Sequence, residues 1–192
     1  MVSFYCLLLC LQGFESTVQQ PEYDWQLLNQ GEILVEKIKD ENGLPGIRTM
    51  FTIRATNEVL WGVLTDYDNF NNIYGGIDSL HVLTEDESGA RVEIYQTVLI
   101  KKIQFVLQRN YTAPGYRLTW ERVSGDMKII KGSWDILDAS DEGTKLVIFT
   151  SFFKYGGIVP TRLTRNWAMK EIHTMAQNAR IWVEENRDLY TR

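Results

Sequence analysis

Thiols are almost absent from this chain of 192 residues: its two cysteines, Cys6 and Cys10, both fall within the first ten positions. From residue 11 onward no disulfide framework and no thiol nucleophile can be built. His81 and His173 are the only histidines, so no cluster has zinc-ligand spacing. No GxSxG elbow, Walker-type loop or GxGxxG opening a helix is present either. Gly75-Gly76 and Gly156-Gly157 read as helix stops or loop hinges. No catalytic residue, metal or cofactor is therefore expected. Clustered positive charge is also lacking, and a formal net charge of −5 argues against nucleic acid as a partner.

Long apolar runs are lacking too. Residues 2–11, VSFYCLLLCL, are too few to span a bilayer but suit the core of a secretory signal peptide, although no Lys or Arg precedes them. The expected organisation is a signal peptide over 1–13, a polar linker over 14–30 and one domain over 31–192. That arrangement implies a secreted or periplasmic protein, or a cytoplasmic one if the start is an artefact.

What is present is enough apolar material for one core, since 44% of the residues are hydrophobic. GEILVEKIK from Gly31 and GIRTMFTIRA from Gly46 read as two strands joined by the turn chemistry of Asn42-Gly43 and Pro45-Gly46. Thr56 is suited to cap a helix whose apolar positions are Val59, Leu60, Val63 and Leu64. A second short helix over residues 67–74 ends at Gly75-Gly76. Six extended segments follow between residues 80 and 153, separated by Ser88-Gly89, Pro114-Gly115, Ser124-Gly125 and Glu142-Gly143. They predict an antiparallel meander.

Beyond Pro160, apolar residues recur at helical spacing on one face, from Ala168 through Met175, Ala176 and Ala179 to Val183. The opposite face carries Lys170, Gln177, Glu184 and Glu185. A helix so one-sided must lie across the sheet, giving an α+β layout in which the sheet curls around it. Small Ala176 and Ala179 beside flexible Met175 either keep a hollow open or let helix and sheet approach closely.

Several residues qualify as site candidates. Ile103, Phe105, Leu107, Arg109 and Tyr111 share one strand face by period two. Arg109 either holds an acidic head group or reaches solvent where the face ends. Trp120 and Trp134 fill the core or stack on a ligand. His81, set between Leu80 and Val82, reads as a solvent-facing strand residue, and His173 borders the apolar helix face. Asp66 and Asp68 flank Tyr67 as a carboxylate pair or as a helix end.

The chain resembles the START-type (SRPBCC) superfamily, which includes the birch pollen allergen, lipid-transfer START domains, coenzyme Q-binding proteins and polyketide cyclases. Three segments carry the likeness. They are the strand end, helix and Asp66-Tyr67-Asp68-Asn69-Phe70 after Ala55; Gly132-Ser133-Trp134 with the Asp141-Glu142-Gly143-Thr144 turn; and Gly156-Gly157-Ile158-Val159-Pro160 before the last helix. Asn71 departs from the family, which often has proline there. The resemblance implies a helix-grip fold, with a curved antiparallel sheet around a long C-terminal helix and two short helices after the first strands. It implies that a hydrophobic small molecule of lipid, quinone or polyketide type is bound between sheet and helix. The ligand-binding candidates are then Tyr95, Leu107, Arg109, Tyr111, Trp120, Trp134, Met175, Ala176 and Ala179. If the protein is instead a cofactor-independent aromatase/cyclase-like enzyme, Arg109, Tyr111, Tyr95 and His173 are its polar cavity groups. A third alternative is a protein-interaction module like the ribosome-associated toxin relatives. Transient membrane contact is expected of a lipid carrier, and the oligomeric state is not set by the sequence.

Overall fold

The turn signals fall where the chain reverses in the computed structural model, which describes residues 23–156 and 161–191. The elements are α1 (Trp25–Asn29), β1 (Leu34–Lys39), β2 (Pro45–Arg54), α2 (Asn57–Thr65), α3 (Phe70–Tyr74) and β3 (Ser79–Asp86). They continue with β4 (Gly89–Val98), β5 (Lys101–Ala113), β6 (Arg117–Gly125), β7 (Met127–Asp138), β8 (Thr144–Tyr155) and α4 (Thr161–Asn186). A single turn of 3₁₀ helix, Arg187–Leu189, follows α4. The expected signal peptide, the start of the linker and the segment Gly157-Ile158-Val159-Pro160 lie outside the described residues.

All eight strands form one antiparallel sheet in the order β1-β2-β8-β7-β6-β5-β4-β3. The meander from β3 to β8 is closed on one side by the first hairpin, because β2 pairs with β8 in register from Gly46↔Phe152 to Arg54↔Thr144. The chain leaving β2 must therefore reach the opposite edge of the sheet to begin β3, and α2 and α3 make that crossing. Thr56 starts α2 as its side-chain oxygen accepts the Val59 amide at 3.3 Å. Val59, Leu60, Val63 and Leu64 are buried on its inner face. α4 packs on α2, α3 and β2, and its Ala168, Ala176, Ala179 and Val183 join the inner side chains of the strands in the main core. This is the helix-grip arrangement, with α4 held in the concave face of the sheet. No described helix is long and apolar enough to cross a membrane.

The stretch expected to be a linker over 14–30 is corrected at its end. Residues 25–29 form α1, and its fully buried Leu28 packs with Met50, Leu146 and Ile148 on the convex face. Asp24 caps the helix by accepting the Leu27 amide, and the Thr52 hydroxyl donates to the Leu28 carbonyl at 2.9 Å. Five helical residues show too little periodicity to stand out in a polar segment. What fixes them is an apolar patch on the outer sheet face, assembled from residues more than twenty positions away.

Candidate functional site

Small residues where α4 crosses the sheet leave a hollow. Ala168, Ile172 and Met175 recur four and three residues apart along one stripe, facing Phe105 and Leu107 of β5 across a cavity of about 170 Å³. That is roughly ten times the ~10–15 Å³ a single water requires. Trp120, Trp134 and Phe149 form its far wall. Trp120 stacks on Phe149 at 5.3 Å between ring centroids, and Trp134 meets Phe149 at 4.7 Å. The glycine of the Gly-Ser-Trp segment makes this wall possible. A Cβ on Gly132 would lie 2.4 Å from the Trp120 ring and 2.1 Å from the Thr150 carbonyl oxygen, so only glycine lets the indole lie across the strand.

The polar end of the cavity is set by Arg109, only 4% exposed although it carries a guanidinium cation. Its Nη2 donates to the Leu64 carbonyl at 2.9 Å, one of the carbonyls left without an intrahelical partner in the last turn of α2. Its charge lies over the faces of Tyr67 and Phe70, at 4.9 and 5.5 Å from the ring centroids. Among the described residues no carboxylate pairs with it. Its Nη1 has no hydrogen-bond partner there, and neither has the hydroxyl of the equally buried Tyr74. Burial pushes that hydroxyl well above the usual tyrosine range, against the pull of Arg109. Arg109 and Tyr74 both belong to the cavity lining, which is otherwise aromatic and aliphatic except for Gln96, Ser151 and Glu171.

The aromatic, carboxylate-rich turn after α2 is an anchor for this arrangement. Asp66 accepts the backbone amide of Asn69 at 3.0 Å, its side-chain amide at 2.9 Å and the Tyr190 hydroxyl at 2.6 Å. Tyr190 in turn accepts from Trp182 Nε1 at 2.8 Å, which ties the end of α4 to the end of α2. Asp68 is exposed, whereas Asp66 is half-buried and held by its three bonds. The Tyr67 and Tyr111 hydroxyls meet at 3.1 Å, and Tyr111 also donates to Glu85 at 3.3 Å.

These phenols give the fold an alkaline limit. Burial, aided by the bond to Asp66, pushes Tyr190 up to about 12. Burial raises Tyr74, Tyr111 and Tyr155 still further. In the unfolded chain these groups ionise near ~10, so above that pH the unfolded state has lost protons the folded state still holds. Stability is then full below about pH 10 and falls as pH rises toward the folded values. The melting temperature should drop over that window, and Tyr190→Phe should make the drop shallower. A melting temperature that stays level would show that the hydroxyls are not buried in solution.

The structure brings together Leu107, Arg109, Trp120, Trp134 and Met175 around the cavity. It places the other candidates outside that lining. Tyr95 is 40% exposed on the outer face of β4, where its ring meets His81, because the inward positions of that strand are Val92 and Ile94. Tyr111 packs edge-on against Trp61 at 5.4 Å and is spent on Tyr67 and Glu85 beyond the cavity. Ala176 is fully buried but outside the cavity lining, and Ala179 lines a separate space of about 20 Å³ with Val183 and Leu60. His81 is exposed and His173 does not line the cavity. Sequence reasoning passed over Phe70 and Tyr74, whose rings lie 4.2 Å apart and close the Arg109 end. Their spacing of four within a short helix was the available signal. Glu171 and Gln96, both half-buried at the outer end of the lining, were also missed.

The family model described as "Polyketide cyclase / dehydrase and lipid transport" matches residues 53–178. No curated protein matches the chain in sequence. Among solved structures, a STAR-related lipid transfer protein from Xanthomonas axonopodis is similar with a TM-score of 0.68 and 16% identity, covering 79% of this chain and 93% of that one. A START superfamily protein from Mycobacterium smegmatis has a TM-score of 0.64 and 12% identity, covering 73% and 97%. The Zhui aromatase/cyclase from Streptomyces sp. R1128 has a TM-score of 0.59 and 12% identity, covering 84% and 97%. At these identities the likeness is one of fold.

Proposed function

We propose that this chain, which belongs to the polyketide cyclase/dehydrase and lipid transport family and has the START-type helix-grip fold, binds an amphipathic hydrophobic molecule with an acidic end. One observation carries the reading. Arg109 Nη1 and the Tyr74 hydroxyl are buried donors without a partner among the described residues, at one end of an apolar cavity. A buried donor left unmet costs about 1–3 kcal/mol, and more when it is charged. A carboxylate or phosphate oxygen meets both donors and neutralises the cation, while the aromatic wall takes the apolar remainder. The flat guanidinium fork suits such a group better than a lone hydroxyl does.

The same donors also favour a second reading, because they would stabilise an enolate oxygen as charge develops on it during cyclisation of a poly-carbonyl chain. Proton transfer would then fall to Glu171, which supplies the only carboxylate among the described lining residues. Native mass spectrometry of the protein gently purified from its own host, followed by extraction, tests the binding reading. A co-purifying acidic lipid or polyketide is the expected result. An empty protein that also takes up no fatty acid would overturn it, and release of a ring-closed product from an added linear precursor would establish the enzyme.

A further inference from the structure

Polar side chains in the cavity lining fall into two groups, and strand register shows how far apart they stand. Arg109 and Tyr74 close one end, while Gln96 and Glu171 lie at the outer end. Gln96 pairs with Ile103, and Arg109 follows six residues later on β5. At ~3.3 Å per residue the two positions are roughly 20 Å apart along the sheet. Both are inward positions, since Gln96 continues the parity of Val92 and Ile94, and Arg109 that of Phe105 and Leu107.

Glu171 reaches that outer end from α4. A Cβ on Gly76, which has φ of 64°, would lie 2.9 Å from Glu171 Oε2, so glycine in the turn between α3 and β3 lets the carboxylate settle against the backbone. Two residues on, the Asp78 amide donates to the Tyr95 carbonyl at 2.8 Å, directly before Gln96. The carboxylate from α4 and the amide from β4 therefore flank the same turn. Among the described residues neither side chain has a hydrogen bond or an ion pair. Outward-facing polar residues of the same hairpin are paired, Thr97 with Asp78 at 2.8 Å and Gln104 with Glu93 at 2.7 Å.

We infer that the cavity reads both ends of its ligand, and that the acidic molecule carries a hydrogen-bond donor, a hydroxyl group, at the far end of its apolar chain. This rests on the acid-binding role of Arg109 and Tyr74 proposed above. A hydroxyl both donates and accepts: it donates to the Glu171 carboxylate, and its oxygen accepts from the Gln96 amide. A methyl terminus would instead strip water from a carboxylate and an amide and return no bond to either. A second carboxylate would meet Glu171 as a like charge. The outer pair thus selects by the chain terminus, and the inner pair by the acid.

Titration calorimetry of the full chain at neutral pH with palmitic acid, its ω-hydroxy derivative juniperic acid and its ω-carboxy derivative thapsic acid tests it. Wild type should bind juniperic acid about tenfold more tightly than palmitic acid, the return expected for a hydrogen bond to a charged acceptor. Thapsic acid should bind more weakly than juniperic acid by a similar factor. Glu171→Leu should reverse the order of palmitic and juniperic acids, and Gln96→Leu should narrow the gap between them. Glu171→Gln, which keeps an acceptor but removes the charge, should retain part of the preference for juniperic acid and recover binding of thapsic acid. Uptake of palmitic and juniperic acids with equal affinity by wild type would overturn this inference alone, as would a preference that survives Glu171→Leu. Uptake of neither acid would overturn it together with the reading on which it rests.

Discussion

Changing Arg109 to methionine should lower affinity for a long-chain fatty acid by about 30-fold or more, while the methyl ester of the same acid changes by no more than about threefold. Removing one member of a buried charged pair costs roughly 2–5 kcal/mol, much of it from stranding the remaining charge, and about 1.4 kcal/mol is a factor of ten. Methionine keeps most of the length and bulk of the side chain, so the packing against Tyr67 and Phe70 survives while charge and donors go. The ester carries no charge to strand, and the Tyr74 hydroxyl still meets its carbonyl. The ligand-free variant should melt at or above the wild-type temperature, because a buried cation with no carboxylate partner is itself unfavourable. The fatty-acid-induced rise in melting temperature should shrink in step with affinity. Titration of both ligands against both proteins checks this. Equal losses for acid and ester would make Arg109 a structural residue, and unchanged affinity for both would remove it from the site.

Arg109 also marks how far the sequence could be read. Period two along β5 places it on the inner face with Ile103, Phe105 and Leu107, and all four are buried there. What alternation cannot say is where an inward face stops lining a cavity. Tyr111 shares the parity of Arg109 but lies past the end of the hollow, where Trp61 and Tyr67 already fill the space. Tyr95 falls on the outer face because β4 carries its inward apolar residues, Val92 and Ile94, on even positions. On α4 the apolar face was legible, but its division was not. Ala168 and Met175 face the cavity; Ala179 shares their side of the helix, within about 40°, but lies further along the axis beside a second, smaller space, while Ala176 sits about 100° round from Met175 and is packed away from the cavity. The spacing of Phe70 and Tyr74 places them on one helix face, but the role of Tyr74 depends on its approach to Arg109 of β5, brought about by the crossing from one sheet edge to the other.

That division of α4 supplies the second large effect. Ala168→Phe should abolish uptake of fatty acid and ester alike while the protein still folds, because the added ring projects into the 170 Å³ cavity between α4 and the aromatic wall. Overpacking a filled core costs about 1–3 kcal/mol, and a cavity that accepts the ring should hold the cost to the lower part of that range. For a chain of this size each kcal/mol moves the melting temperature by roughly 2–4 °C, so the fold survives the change. Ala176→Phe is the matched control. Ala176 is fully buried outside the cavity lining, so the same ring there must displace packed neighbours, lowering stability more and affinity less. The two variants therefore separate a binding cavity from a packing defect, since melting and ligand titration should move in opposite order. If Ala168→Phe melts like wild type and still binds both ligands, the hollow under α4 is not where the ligand sits, and the paired donors at Arg109 and Tyr74 must serve something other than its polar end.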